Sequence, residues 1–221
     1  MKRFLGKVSE ISQSWLKTLF YRFVRNSARI AGVMLFDIRC IGRSNMEFEG
    51  GALVLSTHQS HFDPVVIGLS FNGRMNYLAR RSLFNNRLLG TVIYLLNAIE
   101  LDRDRSGIAG LKETLKRLKG GKKVLVFPEG TRTTDGKIAP LKPGFLAVAR
   151  RSKVPLVPIA ITGAFEALPR TSILPRRYPI HMAVGQKIEA EMVASLSDEE
   201  VLKILSDRMH ECYRQANALR N

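Results

Sequence analysis

Two apolar runs, Ala52 to Ser56 and Pro64 to Leu69, bracket one polar stretch, Thr57-His58-Gln59-Ser60-His61-Phe62-Asp63. The first run has the length and β-rich composition of a buried strand. Asp63-Pro64 reads as a helix start, with Asp at the N-cap and Pro at the first helical position. A strand, a tight turn and a helix in that order leave few ways to fold. They place His58 at a strand end and Asp63 at the following helix N-terminus, facing each other across the turn. An imidazole with a carboxylate on its far nitrogen is the working part of a general base. The plainer reading of the same residues is a capping Asp63 and a loop-lining His58.

The rest of the chain alternates in the same way. Strand patterns fall at Asp37 to Gly42, Met75 to Ala79, Ala98 to Leu101, Lys123 to Phe127, Leu156 to Ile161 and Ile180 to Val184. Between them, Asn45 to Gly51 reads as a loop, Asn72-Gly73 as a turn and Asn86 to Leu96 as a mostly apolar helix. Ser106 can cap a helix with Ile108, Leu111, Leu115 and Leu118 on one face, ending at Gly120-Gly121. Ser197-Asp-Glu-Glu200 is a capping box that opens a last helix striped by Val201, Leu205, Met209 and Cys212. Strands alternating with helices predict an α/β fold: one domain, residues 35–221, with a largely covered central sheet flanked by helices. A length of 221 residues suits one such core.

Ahead of it, residues 1–34 read as an amphipathic helical segment, broken near Asn26-Ser27. Leu5, Val8, Ile11, Trp15, Leu19 and Phe23 recur at three- and four-residue steps. Residues 1–44 carry Lys2, Arg3, Lys7, Lys17, Arg22, Arg25, Arg29, Arg39 and Arg43 against only Glu10 and Asp37. A basic, Trp-bearing amphipathic helix is the pattern of an interfacial membrane anchor. A helix packed on its own domain with a solvated basic face is the alternative.

The net charge of +16, from 35 Lys and Arg against 19 acids, calls for an anionic partner. Nucleic acid, an anionic membrane and acidic small molecules all qualify, and no zinc-finger spacing or ribonucleoprotein box supports nucleic acid. Cys40 and Cys212 make neither a disulfide framework nor a metal spacing. No cleavable signal pattern is present. Ile30 to Phe36 and Leu88 to Leu96 fall well short of the roughly 20 residues that a span needs. The expected placement is peripheral, on the cytoplasmic face of a membrane.

A second block, Phe127-Pro128-Glu129-Gly130-Thr131-Arg132, joins the first. Together they resemble the glycerolipid acyltransferase family. That family's His, four-residue gap and Asp fall on His58 and Asp63. Its Arg-ending block falls on Ile99 to Arg103, and its Pro-flanked strand on Val154 to Ile159. Thr57 and Glu100-Leu101 depart from its usual residues, which are Asn and bulky apolar side chains.

The resemblance implies transfer of an acyl group from a thioester, acyl-CoA or acyl carrier protein, to a lysophospholipid. The implied acceptor is the sn-2 hydroxyl of 1-acylglycerol-3-phosphate, and no other cofactor or metal is implied. His58 would take the hydroxyl proton, and Asp63 would hold its tautomer. Arg132 and Arg103 suit a phosphate because guanidinium donates bidentate hydrogen bonds. Glu129 would bind acceptor or organise the site, beside Thr131. Gly130 would let the backbone approach, and Lys142, in Leu141-Lys-Pro-Gly144, would be a further and weaker phosphate-contact candidate.

Ser60 lacks a nucleophile elbow, which favours direct transfer. His61 fails the spacing, and His181 and His210 lack a carboxylate nearby in sequence, so all three read as structural. A lyso-aminolipid acceptor, an inactive basic membrane-binding protein and a non-specific nucleic-acid binder are the competing readings.

Overall fold

The computed structural model describes residues 25–71, 75–80, 98–101, 108–172 and 174–220. Among these, seven strands form one sheet. They are β1 (Arg39–Ile41), β2 (Ala52–Ser56), β3 (Met75–Arg80), β4 (Ala98–Leu101), β5 (Lys123–Val126), β6 (Leu156–Thr162) and β7 (His181–Val184). The order is β1-β7-β6-β2-β5-β3-β4. Every neighbouring pair is parallel except β6 and β7, which run antiparallel.

The described helices are α1 (25–36), α2 (Asp63–Ser70), α3 (Ile108–Lys119), α4 (Gly144–Ser152), α5 (Ala164–Ala167), α6 (Ala190–Ser195) and α7 (Asp198–Ala218). A 3₁₀ turn spans Arg43–Met46, overlapping the start of the Asn45 to Gly51 stretch expected as loop.

The central strands are covered on both faces, as parallel strands require. Side chains alternate across a strand. In β2, Ala52 and Val54 join a core with Val66 and Ile67 of α2, Leu125, Val157 and Ile159. Leu53 and Leu55 join the opposite core with Leu118, Phe145, Leu146, Val201, Leu205 and Met209. Each fully buried leucine or valine contributes about 1.5–3 kcal/mol.

The capping box of α7 forms as its residues dictate: Ser197 Oγ accepts from the Glu200 N–H, and the Glu200 carboxylate accepts from the Ser197 N–H. The apolar stripe of α7 is buried as expected. Residues 1–24, the expected helix at Asn86 to Leu96, the Asn72-Gly73 turn and Arg103 lie outside the described residues.

Two expectations are corrected, and one helix stands where the sequence marked no element. First, α1 runs unbroken through Asn26 and Ser27 and on to residue 36. It is tied to the domain, because Arg29 Nε donates to the Leu69 carbonyl and Phe36 meets Phe62 edge to face at 5.3 Å. Second, Asp63 does not cap α2. Phe62 holds the N-cap position without a side-chain bond, and Asp63 is the first helical residue. The unmarked helix is α4. It starts behind Pro143, buries Phe145, Leu146 and Ala149, and ends where Lys153 turns left-handed at φ 53°.

Candidate active site

β2 lies between β5 and β6, parallel to both. Leu55 is in register with Val126, and Ser56 with Ile159. The loops that follow these strands therefore leave the sheet at one edge. Ligands of α/β sheets bind at the carboxyl ends of the strands. His58 comes from the loop after β2, and Phe127 to Arg132 from the loop after β5.

His58 Nδ1 lies 2.9 Å from Asp63 Oδ2. The Asp63 side chain is fully buried, while the His58 side chain is 20% exposed. The same carboxylate oxygen accepts from the Gln59 N–H at 2.6 Å and the Ser60 N–H at 2.8 Å. Asp63 thus serves the backbone of the loop before it instead of its own helix. Backbone donors and imidazole converge on one oxygen, which fixes the loop and the ring together. With Nδ1–H directed at a carboxylate, the lone pair sits on Nε2. Burial pushes the Asp63 carboxyl up, and His58 with the Ser60 and Gln59 N–H groups pulls it back. Phe127 stacks on the imidazole, with ring centroids 3.8 Å apart and planes 15° from parallel.

Glu129 is buried, and both its oxygens are engaged. Oε1 accepts from the His58 N–H at 2.8 Å, and Oε2 from the Ala139 N–H at 2.9 Å. Burial raises its carboxyl, opposed by those two N–H groups. The His58 carbonyl in turn accepts from the Thr133 N–H at 2.8 Å. The backbone of His58 is therefore held on both sides by the loop after β5.

The exposed part of that loop is cationic. Gly130 closes a turn onto the Phe127 carbonyl at φ 74°, a left-handed conformation that favours glycine. A Cβ there would stand 3.1 Å from Lys142 Nζ, so the ammonium lies over this turn. Thr131 is exposed and Arg132 half-buried. His61 is partly covered. That covering, the Arg132 guanidinium and His58 hold its imidazole below the usual range. His58, His61 and Arg132 thus share one electrostatic neighbourhood, with Lys142 on the same loop as Arg132.

Three residues without a sequence-assigned role frame the turn. Ser60 Oγ is buried and donates to the Leu168 carbonyl at 2.8 Å, which makes it a brace. Thr57 Oγ1 accepts from the Ile161 N–H. Gln59 Nε2 donates to the Gly136 carbonyl at 3.2 Å. Polar residues packed between two apolar runs were the available signal.

His181 stays structural, buried in β7 away from the His58 loop. Its carboxylate neighbour is remote in sequence: Nε2 lies 3.7 Å from Asp37 Oδ2. His210 stays on the exposed face of α7, with Nδ1 on the Ser206 carbonyl.

A parallel-dominated sheet with a buried Asp, an accessible His and a cationic loop at one edge is an arrangement suited to acyl transfer. The profile of the acyltransferase family matches residues 37–162, more than half the chain, and the chain belongs to that family. It is an acyltransferase. It is 26% identical over 192 residues to the 1-acyl-sn-glycerol-3-phosphate acyltransferase of Bacillus subtilis (strain 168), covering 86% of this chain and 94% of that protein. It is 29% identical over 157 residues to a chloroplastic 1-acyl-sn-glycerol-3-phosphate acyltransferase of Arabidopsis thaliana, covering 69% of this chain but 44% of that one. The chain thus spans less than half of the plant relative. The crystal structure of the 1-acyl-sn-glycerophosphate acyltransferase PlsC from Thermotoga maritima superposes with a TM-score of 0.75. That match has 24% identity and covers 90% of this chain and 79% of that one, so it speaks for the fold.

Proposed function

We propose that this chain is an acyl-thioester-dependent O-acyltransferase that acylates the sn-2 hydroxyl of 1-acylglycerol-3-phosphate, giving phosphatidic acid. The observation that carries the reading is the His58–Asp63 pair, with a buried carboxylate behind an accessible imidazole. His58 Nε2 takes the hydroxyl proton as the oxygen attacks the thioester carbonyl. Asp63 stabilises the imidazolium that forms. The C–O bond forms, the C–S bond breaks, and His58 returns the proton to the departing thiolate. The donor is acyl-CoA or acyl carrier protein.

Arg132 meets the acceptor phosphate, with Arg103 and Lys142 as further cations and the Thr131 hydroxyl beside them. Glu129 organises the site, since both its oxygens are taken by backbone N–H groups.

The acceptor reaches the site from a membrane surface. Among the described residues no helix is long and apolar enough to cross a bilayer. Ile30, Val33 and Met34 of α1 are instead exposed, which supports peripheral attachment through residues 1–34.

The test is direct. Purified protein is incubated with acyl-CoA, or with acyl carrier protein thioester, and a panel of lysolipids, and the products are weighed by mass spectrometry. Gain of one acyl group on 1-acylglycerol-3-phosphate above all other acceptors is expected. Equal or preferred gain on a lyso-aminolipid would displace the acceptor assignment while leaving the chemistry.

A further inference from the structure

One exposed apolar residue lies far along the chain from the N-terminal segment. Leu174 is 77% exposed, more than Ile30 at 62%, Val33 at 53% or Met34 at 72%. A single exposed leucine is ordinary on a protein surface, and it is the setting of this one that bears on a partner. Its flanks are cationic. Arg170, Arg176 and Arg177 are exposed, and no acidic residue occurs between Pro169 and Ile180. Hydrogen bonds tie the described residues on either side of Leu174. The Ser172 N–H donates to the Pro169 carbonyl at 3.0 Å, Ser172 Oγ to the Leu174 carbonyl at 2.8 Å, and the Arg176 N–H to the Ala167 carbonyl at 2.7 Å.

Two contacts put this loop beside α1. Arg177 Nη2 donates to the Met34 carbonyl at 3.2 Å, and the Ile180 N–H to the Phe36 carbonyl at 2.8 Å. The exposed stripe of α1 holds Ile30, Val33 and Met34, and its own charges, Arg25 and Arg29, are likewise positive. At its other end the loop begins at Leu168, whose carbonyl holds Ser60 of the turn between His58 and Asp63. The loop therefore lies between the basic, apolar helix and the candidate active site.

We propose that the Pro169 to Tyr178 loop is a second membrane contact. It seats Leu174 at the headgroup–acyl boundary of an anionic bilayer and sets Arg170 and Arg176 against lipid phosphates. Apolar tips rimmed by cations fit such a surface, because burial and charge attraction then act together. This rests on the lysolipid reading above and deepens it. Two contacts hold a face at a fixed tilt, whereas one helix is a hinge. Fixed tilt keeps the His58 edge toward the lipid surface, so an acceptor need not leave the bilayer to reach Nε2.

The experiment uses the full chain and vesicles of phosphatidylcholine, alone or mixed equally with phosphatidylglycerol. Leu174→Asp/Arg176→Glu leaves Arg177 on Met34 and touches no residue assigned to the chemistry. The double variant should bind mixed vesicles at least about fivefold more weakly, the effect expected from one surface cation alone. Its melting temperature and its rate on detergent-dispersed acceptor should stay at wild-type values. Leu174→Trp in a Trp15→Phe background gives a reporter free of the chain's one native tryptophan. Its emission should shift to the blue when mixed vesicles are added.

Unchanged vesicle binding of the double variant, or an unshifted reporter, would overturn the proposal. Wild-type binding in the same assay would then still uphold peripheral attachment. Wild-type protein that ignores vesicles would overturn both. Vesicle binding at wild-type strength with a rate lost only on acyl carrier protein substrate would assign the loop to an acidic protein donor and overturn the lipid contact.

Discussion

Among the described residues, two His–Asp pairs are built in opposite ways. In His58–Asp63 the carboxylate is fully buried and the imidazole is 20% exposed, at 2.9 Å. In His181–Asp37 the imidazole is 1% exposed and the carboxylate 44%, at 3.7 Å. A general base must reach its substrate, and the group that orients it must be shielded and fixed. Only the first pair meets both conditions. Asp63 is locked by two backbone N–H groups, whereas Asp37 sits on a left-handed residue at φ 43° and also pairs with Arg39 at 3.0 Å. Proximity of a His and an Asp is therefore a weak criterion, and the order of burial discriminates.

The largest expected effect breaks the comparison if it fails. His58→Ala should lower kcat by about 10²–10⁴, the usual worth of a general base. His181→Gln and His61→Ala should leave kcat within a few-fold of wild type in folded protein. Equal losses at His58 and His181, read from initial rates at saturating acceptor, would erase the distinction drawn here.

Next comes the brace of the first pair. Glu129→Ala strips the acceptors from the His58 and Ala139 N–H groups, at about 1–3 kcal/mol for each donor left unsatisfied. Loss of melting temperature and of kcat, with acceptor KM little changed, is expected. Glu129→Gln keeps one acceptor and should fall between. A rise in KM alone would return Glu129 to acceptor binding.

Arg132→Ala should cost about 10–100-fold in kcat/KM for a phosphate-bearing acceptor, from a charged hydrogen bond of about 1.5–3 kcal/mol. An acceptor without the phosphate should show far less difference. Equal effects on both acceptors would remove Arg132 from the phosphate.

The smallest effect sharpens the second pair. Burial holds the His181 imidazole below its ordinary value, and Asp37 partly offsets this while Arg39 and Arg220 reinforce it. Below about pH 6.5 the unfolded chain binds a proton that the folded chain resists. The stability contribution of neutral His181 is thus present above that pH and lost as pH falls through it. Melting temperature should drop more between about pH 7.5 and pH 5.5 in wild type than in His181→Gln. Parallel slopes would mean that His181 titrates alike in both states.

Local signals in the chain determined much of this protein. Apolar runs of strand length marked β2, β5 and β6, and the Ser197–Glu200 box marked the start of α7. The His58-to-Asp63 gap set two groups across a turn too short to separate them. These features act over a few residues, so order along the chain suffices to show them.

Tertiary structure decided the rest. Asp63 turned away from its expected cap because its carboxylate accepts from the Gln59 and Ser60 N–H groups that are buried with it. Glu129 became a brace once the pairing of β2 with β5 brought the His58 backbone to it. Asp37 reached His181 through the parallel pairing of β1 with β7. Each is a contact between groups distant in sequence or a choice among competing hydrogen bonds. Such outcomes depend on which polar groups are left buried together after the sheet assembles, and no local pattern encodes that.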